Sequence, residues 1–277
     1  MLKDVEQYIR MNRLPHIWCP GCGNGIVMKA ILEAILDSRL DPLKTVFVSG
    51  IGCSSRATGY LNFDTLHTTH GRALAFATGI KLAKPELNVF VVTGDGDGTA
   101  IGGNHLIHAA RRNIDLNVIL FNNNIYGMTG GQYSPLTPQG KSATTAPYGN
   151  IERPFDICEL TKSAGATYVG RGTVYHTKQL TELVKGAIQN KGFSFVEAVT
   201  VCPVSYGRRN KLGSAPQMIT ALKDNAVNVK AAQKLEADQL AGKFLIGELY
   251  KETAPEYTQS YDALIARFRK EGDAHEQ

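Results

Sequence analysis

Three groups of residues have types and spacing that could do chemistry. The first, "GDGDG" from Gly94 to Gly98, sets Asp95 and Asp97 among three glycines. Glycine lets backbone amides approach phosphate oxygens closely, and the helix start that follows favours anions. A carboxylate in such a loop would repel a phosphate unless a divalent cation lay between them. Mg2+ takes oxygen ligands, often shared with substrate phosphates. Asp95 can supply one oxygen, the Asn123 side chain in "NNN" a second, and the Ile125 carbonyl a third. The bland alternative, a plain glycine turn, loses ground once the Asn run falls at the next strand end.

The second stretch, "WCPGCGNG", sets Cys19 and Cys22 three positions apart. Such a pair serves a metal, thiol redox chemistry or a disulfide. The N-terminal "MLKDVEQYIRMNRL" lacks the apolar core and cleavage site of a secretory leader. No apolar run reaches the roughly 18 residues of a membrane span. A cytoplasmic protein is expected, and there structural disulfides are rare. Cys53 in "GCSSR" and Cys202 in "CPVSYGRRNK" form the third group, two isolated thiols at strand ends.

The elements that must position these residues alternate. Continuous apolar runs, "TVFVSG", "NVFVVTG", "LNVILFN", "ATYVG" and "SFVEAVTV", read as buried strands, the last of them final in the chain. Between them lie helical patterns over Asn24 to Leu40, "GRALAFATGIKLAK", "NHLIHAARR", "FDICELTKSAG" and "TKQLTELVKGAIQN". This order predicts an α/β fold, a mostly parallel sheet with helices on both faces. Ligands of such sheets bind beyond the carboxyl ends of the strands, where Cys53, Asp95, Asp97, the Asn run and Cys202 all fall. From Ala215 the pattern turns helical or irregular with no further strand, and the tail "RFRKEGDAHEQ" reads as frayed. The expected division is a site-bearing domain over 1–214 and a mainly helical appendage over 215–277.

Composition bounds the partners. The 277 residues are 43% hydrophobic and 20% charged, ordinary for a globular chain with a sizeable core. A net charge of +5 with no basic stripe does not indicate nucleic acid, though it would help docking to an acidic partner.

"GDG", then 25 residues from Asp97 to Phe121, then Asn122 and Asn123 resembles the thiamine diphosphate motif. Together with "CPGCG", "GCSSR", "HTTHGRALAFATGIKLAKP", "NNNIYGMTGGQYSPLTP" and "CPVSYGRRNKLG", the chain resembles the beta subunit of 2-oxoacid:ferredoxin oxidoreductases over about residues 15–215. The resemblance implies a thiamine diphosphate-binding fold. It implies Mg2+ on Asp95, Asn123 and the Ile125 carbonyl, and diphosphate at Gly96 and Asp97, with Gly127 and Met128 nearby. Ile51, Gly52, Cys53 and Ser54 would line the cofactor, and His70 would reach it. Cys19, Cys22, Cys53 and Cys202 would hold one 4Fe–4S cluster, leaving Cys158 as a small buried hydrophobe. The activity implied is CoA-dependent oxidative decarboxylation of a 2-oxoacid, with electrons passed to ferredoxin.

A carboxylate against the cofactor's aminopyrimidine ring is missing here. In the family it is a glutamate of the alpha subunit, so a hetero-oligomer, (alpha-beta)2, is expected, inactive as this chain alone. The text looks most like the 2-oxoglutarate branch, with pyruvate or a broad range open. Arg56, Arg72, Arg208 and Arg209 are candidate cations for a distal carboxylate, Arg56 foremost. Competing expectations are a non-redox thiamine decarboxylase subunit and a silent zinc-binding module on the same fold.

Overall fold

The computed structural model describes residues 5–275; the first four and last two residues lie outside it. Six parallel strands dominate: β1 (Thr45–Ser49), β2 (Asp64–His67), β3 (Asn88–Gly94), β4 (Leu116–Asn122), β5 (Tyr168–Thr173) and β6 (Phe193–Val199). With β7 (Ala226–Asn228) and β8 (Phe244–Lys251) they make an eight-stranded sheet in the order β2-β1-β3-β4-β6-β5-β8-β7. Every residue of β4 and β6 is buried, which is why those strands read as mostly apolar runs rather than alternating ones.

Successive side chains of a strand point to opposite faces. Phe47, Phe90, Ile119 and Phe121 therefore pack beneath α1 (Asn24–Asp37) and α5 (Thr177–Gln189). Val48, Val91, Val118 and Leu120 meet α2 (Ala73–Ala83), α3 (Gly103–Arg111) and α4 (Ile157–Ser163) on the other face. A small third cluster joins Ile125, Val201, Cys202, Tyr206 and Met218, tying the carboxyl edge to α6 (Ala215–Asn225).

Two expectations are corrected. The stretch after Ala215 does contain strand: β8 pairs antiparallel to β5, and β7 runs beside it. Gly247 at φ 118° and a register shift at Val169/Gly170 interrupt β8, while Leu245 and Leu249 stand at helical spacing, so the period-2 signal is lost. The tail is also not frayed through most of its length, because α7 runs from Tyr257 to His275. Strand β2 was not expected at all. "DTLH" is short and largely exposed at the sheet edge, so it carries no apolar signature.

A candidate cofactor site at the carboxyl edge

From β1 the chain crosses to β2 on one side; β3 and β4 continue on the other. The order reverses between β1 and β3, and at that point an open sheet leaves a crevice. A cavity of about 270 Å3 opens there. The loop after β1 gives it Ile51, Gly52, Cys53 and Ser54, and the loop after β2 gives His70. From β3 come Asp95, Gly96 and Asp97, and from β4 Asn123, Ile125, Gly127 and Met128. Four expected residues, Cys19, Cys22, Cys202 and Arg56, are not in its lining.

Asp95 is 3% exposed. Its carboxylate accepts from Ser134 Oγ at 2.5 Å, and no cation pairs with it among the described residues. Burial pushes the carboxyl up to about 7, although Ser134 and nearby backbone N–H groups, including those of Gly96 and Ile125, oppose the rise. A buried carboxylate facing a cavity with nothing positive beside it suits a cation. Thr99 Oγ1 donates to the Asp95 carbonyl, closing the turn. Asn122 and Asn123 each accept from a backbone N–H two residues on, at 3.0 and 3.3 Å, which curls the chain at Asn124, φ 62°. That curl turns Asn123 and Ile125 toward Asp95. Gly96 must be glycine, because a Cβ there would collide with the Tyr126 ring.

The Asp97 side chain is held by the protein itself. Its Oδ1 accepts from the Ile51 and Gly71 N–H groups at 3.1 and 2.7 Å, and its Oδ2 from Thr93 Oγ1 at 2.7 Å. His70 Nδ1 stands 2.8 Å from Oδ1, close but poorly aligned for a hydrogen bond. One carboxylate thus ties together the loops after β1 and β2 and the end of β3. Its side chain is spent on protein donors.

The thiols come from three segments. A Cβ on Gly127 would lie 3.3 Å from Cys53 Sγ and 3.6 Å from Cys202 Sγ. Burial raises the Cys22 thiol to about 11; the Asn24 N–H opposes this, while the Cys202 and Cys19 sulfurs add to it. Burial, then Cys22, Cys202 and Cys19, pushes Cys53 up to about 12. Cys53 therefore lies within the field of the other three sulfurs. Among the described residues no three His, Cys, Asp or Glu side chains close tightly enough to hold a single ion, so the sulfurs are neighbours spread over a wider space. Beside them the Asn24 amide, Ser54 Oγ and Thr200 Oγ1 are buried with no partner. An unmet buried polar group costs about 1–3 kcal/mol, and three beside four thiols fit a polar group seated there.

Trp18 fixes this corner, donating from Nε1 to the Cys53 carbonyl at 2.6 Å and stacking edge-on against Tyr60. Trp18, Tyr126 and Ser134 were not foreseen; only their closeness to cysteines, glycines and the Asn run could have pointed to them. None of the candidate arginines lines the cavity. Arg56 is exposed on the turn Ser54–Arg56, and Arg208 and Arg209 are exposed beyond Cys202. Arg72 donates to the Ile101 carbonyl at 3.3 Å. Cys158 is buried as expected, and its thiol also reaches Glu197 Oε2 at 3.3 Å.

Residues 50–198 match the thiamine pyrophosphate enzyme family, C-terminal TPP binding domain. The 2-oxoglutarate synthase subunit KorB of Methanocaldococcus jannaschii is 54% identical over 265 residues, 96% of this chain and 98% of that one. The 2-oxoacid:ferredoxin oxidoreductase subunit beta of a Sulfolobus species is 38% identical over 89% of this chain and 85% of its own. The chain belongs to the 2-oxoacid:ferredoxin oxidoreductase beta-subunit family. A solved oxidoreductase fits this assignment: the 2-oxoglutarate:ferredoxin oxidoreductase from Magnetococcus marinus, with 2-oxoglutarate, coenzyme A and succinyl-CoA bound. It superposes with a TM-score of 0.86 at 35% identity, over 95% of this chain and 90% of that one. The beta-subunit family is one of oxidoreductases that bind thiamine diphosphate, as the matched domain's name states. No helix among the described residues is long and apolar enough to cross a membrane.

Proposed function

We propose that this chain is the cofactor-bearing subunit of a 2-oxoglutarate:ferredoxin oxidoreductase, converting 2-oxoglutarate and coenzyme A to succinyl-CoA together with an alpha subunit. The observation that carries the reading is the meeting of four thiols from three chain segments beside the cavity, at Cys53 and Gly127. When bound, thiamine diphosphate supplies the carbon nucleophile and electron sink for decarboxylation, and a 4Fe–4S cluster accepts the released electrons one at a time.

The chain's own residues do the rest. Asp95, Asn123 and the Ile125 carbonyl offer three oxygens to Mg2+, an arrangement supported by the uncompensated burial of Asp95. Gly96, with Gly127 and Met128 across the cavity, lets a diphosphate come close to the backbone. Asp97 holds the floor, and His70, its Nδ1 close to Asp97, is the histidine that lines the cavity beside the cofactor. Cys19, Cys22, Cys53 and Cys202 hold the cluster, and Arg56, exposed three residues after Cys53, takes the distal carboxylate of the substrate. The aminopyrimidine-contacting glutamate comes from the alpha subunit.

The test is anaerobic purification with and without an alpha subunit. The complex should contain about four iron and four sulfide per beta chain, and should reduce a ferredoxin only when 2-oxoglutarate and coenzyme A are both present. A colourless zinc protein, or turnover by this chain alone, would refute the reading.

A further inference from the structure

Asn24 is the first residue of α1, yet it does not do what an asparagine usually does at a helix start. There an Asn side chain commonly accepts from the free backbone N–H groups. Here the cap is Gly23, one position earlier, and no side chain caps the helix. Asn24 is 0% exposed, and both polar atoms of its amide, Nδ2 and Oδ1, are buried without a partner. Among the described residues no other side chain has two such atoms. Burying a carboxamide with nothing to bond is unfavourable, and an apolar side chain of similar bulk would fill the space without that penalty. The fold by itself gives no reason for an asparagine at this position.

The residue sits among the thiols. Its backbone N–H donates to the Cys22 sulfur. Gly23, just before it, closes the seam between the two segments that bring Cys19, Cys22 and Cys202. A Cβ on Gly23 would collide with Thr200 Oγ1, and the Gly23 N–H points to the Val201 carbonyl at 3.5 Å. Thr200, two residues before Cys202, is 2% exposed, and its hydroxyl is likewise without a partner. Ser54, the third unmet group of this corner, lines the cofactor cavity, whereas Asn24 and Thr200 do not. The influences on the Cys22 and Cys53 thiols are burial, the other sulfurs, Asp95 and the Asn24 N–H, with no cation among them. A cluster held by four thiolates is negative, and an added electron makes it more so. Neutral N–H and O–H donors are then the means of offsetting that charge.

Resting on the function proposed above, we infer that Asn24, from Nδ2, and Thr200, from its hydroxyl, donate hydrogen bonds to sulfur atoms of the cluster and together set its reduction potential. A donor to sulfur stabilises the more negative, reduced form, and so raises the potential. The electron comes from the decarboxylated substrate; Asn24 and Thr200 give up no proton and change no bond. Their effect is on the driving force of each one-electron transfer out of the cofactor.

The experiment uses the anaerobically purified two-subunit enzyme as parent, Asn24→Val and Thr200→Val. Each is taken through a mediated redox titration followed by electron paramagnetic resonance, with iron measured on the same samples. The metal-free forms are melted by circular dichroism. Asn24→Val should keep its iron. At the parent's midpoint its ratio of reduced to oxidised cluster should be about tenfold lower, a fall of about 59 mV for one electron. Thr200→Val should shift the midpoint the same way by less. Metal-free Asn24→Val should melt no lower than the parent, because it gives up only an unmet polar group. An unmoved or raised midpoint in iron-loaded Asn24→Val overturns the inference. Lower melting of its metal-free form does so too, since the amide then serves the fold. Should Asn24→Val fail to load iron, Thr200→Val decides, and an unmoved midpoint there overturns the inference. A parent enzyme without iron refutes the functional reading instead, a separate outcome.

Discussion

Replacing Arg171 tests how the core holds the cavity. Arg171 on β5 is 8% exposed and reaches Glu197 on β6 at 2.6 Å; Glu197 is 4% exposed. Glu197 also accepts from Asn122 Nδ2 at 2.7 Å and from the Cys158 thiol. Asn122 in turn holds the Asn124 N–H, so the network ends at the curl that aims Asn123 and Ile125. Arg171→Met leaves a buried carboxylate without its cation, at a cost of about 3–5 kcal/mol. The second arm, to Asp156 at 2.6 Å, adds at most about 1 kcal/mol because that carboxylate is half exposed. For a chain of this size the loss corresponds to a Tm fall of roughly 6–20 °C. Circular dichroism melts of the apo chain measure it. Adding Glu197→Gln should recover much of the loss, with a coupling of about 1–3 kcal/mol. Glu197→Ala, which frees Asn122, should raise the Mg2+ concentration for half-maximal thiamine diphosphate binding by calorimetry, and Glu197→Gln should spare it. A loss below about 1 kcal/mol for Arg171→Met, or no recovery in the double variant, refutes the reasoning.

Four further outcomes are expected. Cys202→Ser should lose most bound iron, whereas Cys158→Ala should keep it with a stability loss of about 1 kcal/mol; metal analysis that finds iron lost from both removes the distinction between the thiols. Trp18 is the chain's single tryptophan and bonds the Cys53 carbonyl, so its emission should fall on anaerobic iron and sulfide loading, and unchanged fluorescence would place the cluster elsewhere. Gly96→Ala should weaken thiamine diphosphate binding at least about tenfold through the clash with Tyr126, with part of the loss recovered by Tyr126→Ala; calorimetry showing parent affinity would sink this account. Arg56→Ala should raise the KM for 2-oxoglutarate about tenfold and leave that for any accepted monocarboxylic 2-oxoacid unchanged, and equal effects on both would remove Arg56 from substrate recognition.

The parallel core was legible because a strand buried on both faces is mostly apolar, as β4 and β6 are, with Asn117, Asn122, Ser194 and Glu197 the exceptions. The site was legible because parallel strands deliver their following residues to one edge, so Cys53, Asp95 and Asn123 group together from the sequence alone. Edge strands escape this logic. β2 is too exposed, and β8 too interrupted by Gly247, to leave a period in the sequence. Side-chain direction was equally hidden. Asp95 and Asp97 look alike in "GDGDG" and both line the cavity, yet the Asp95 carboxylate meets a lone side-chain donor, Ser134, while that of Asp97 is taken up by Thr93 and two backbone donors. Trp18, Tyr126 and Ser134 act through partners up to 39 positions away, a distance no local pattern spans.

The bonding of Asp97 bears on how a visitor is received. Because one carboxylate clasps Ile51, Gly71 and Thr93, the three banks of the crevice have been drawn into line by the time the chain is folded. Their freedom is surrendered once, during folding, and arrival of a ligand asks little further ordering of them. Loaded and empty forms should thus superpose closely on this side, and whatever opens and shuts during turnover must belong to the opposite wall.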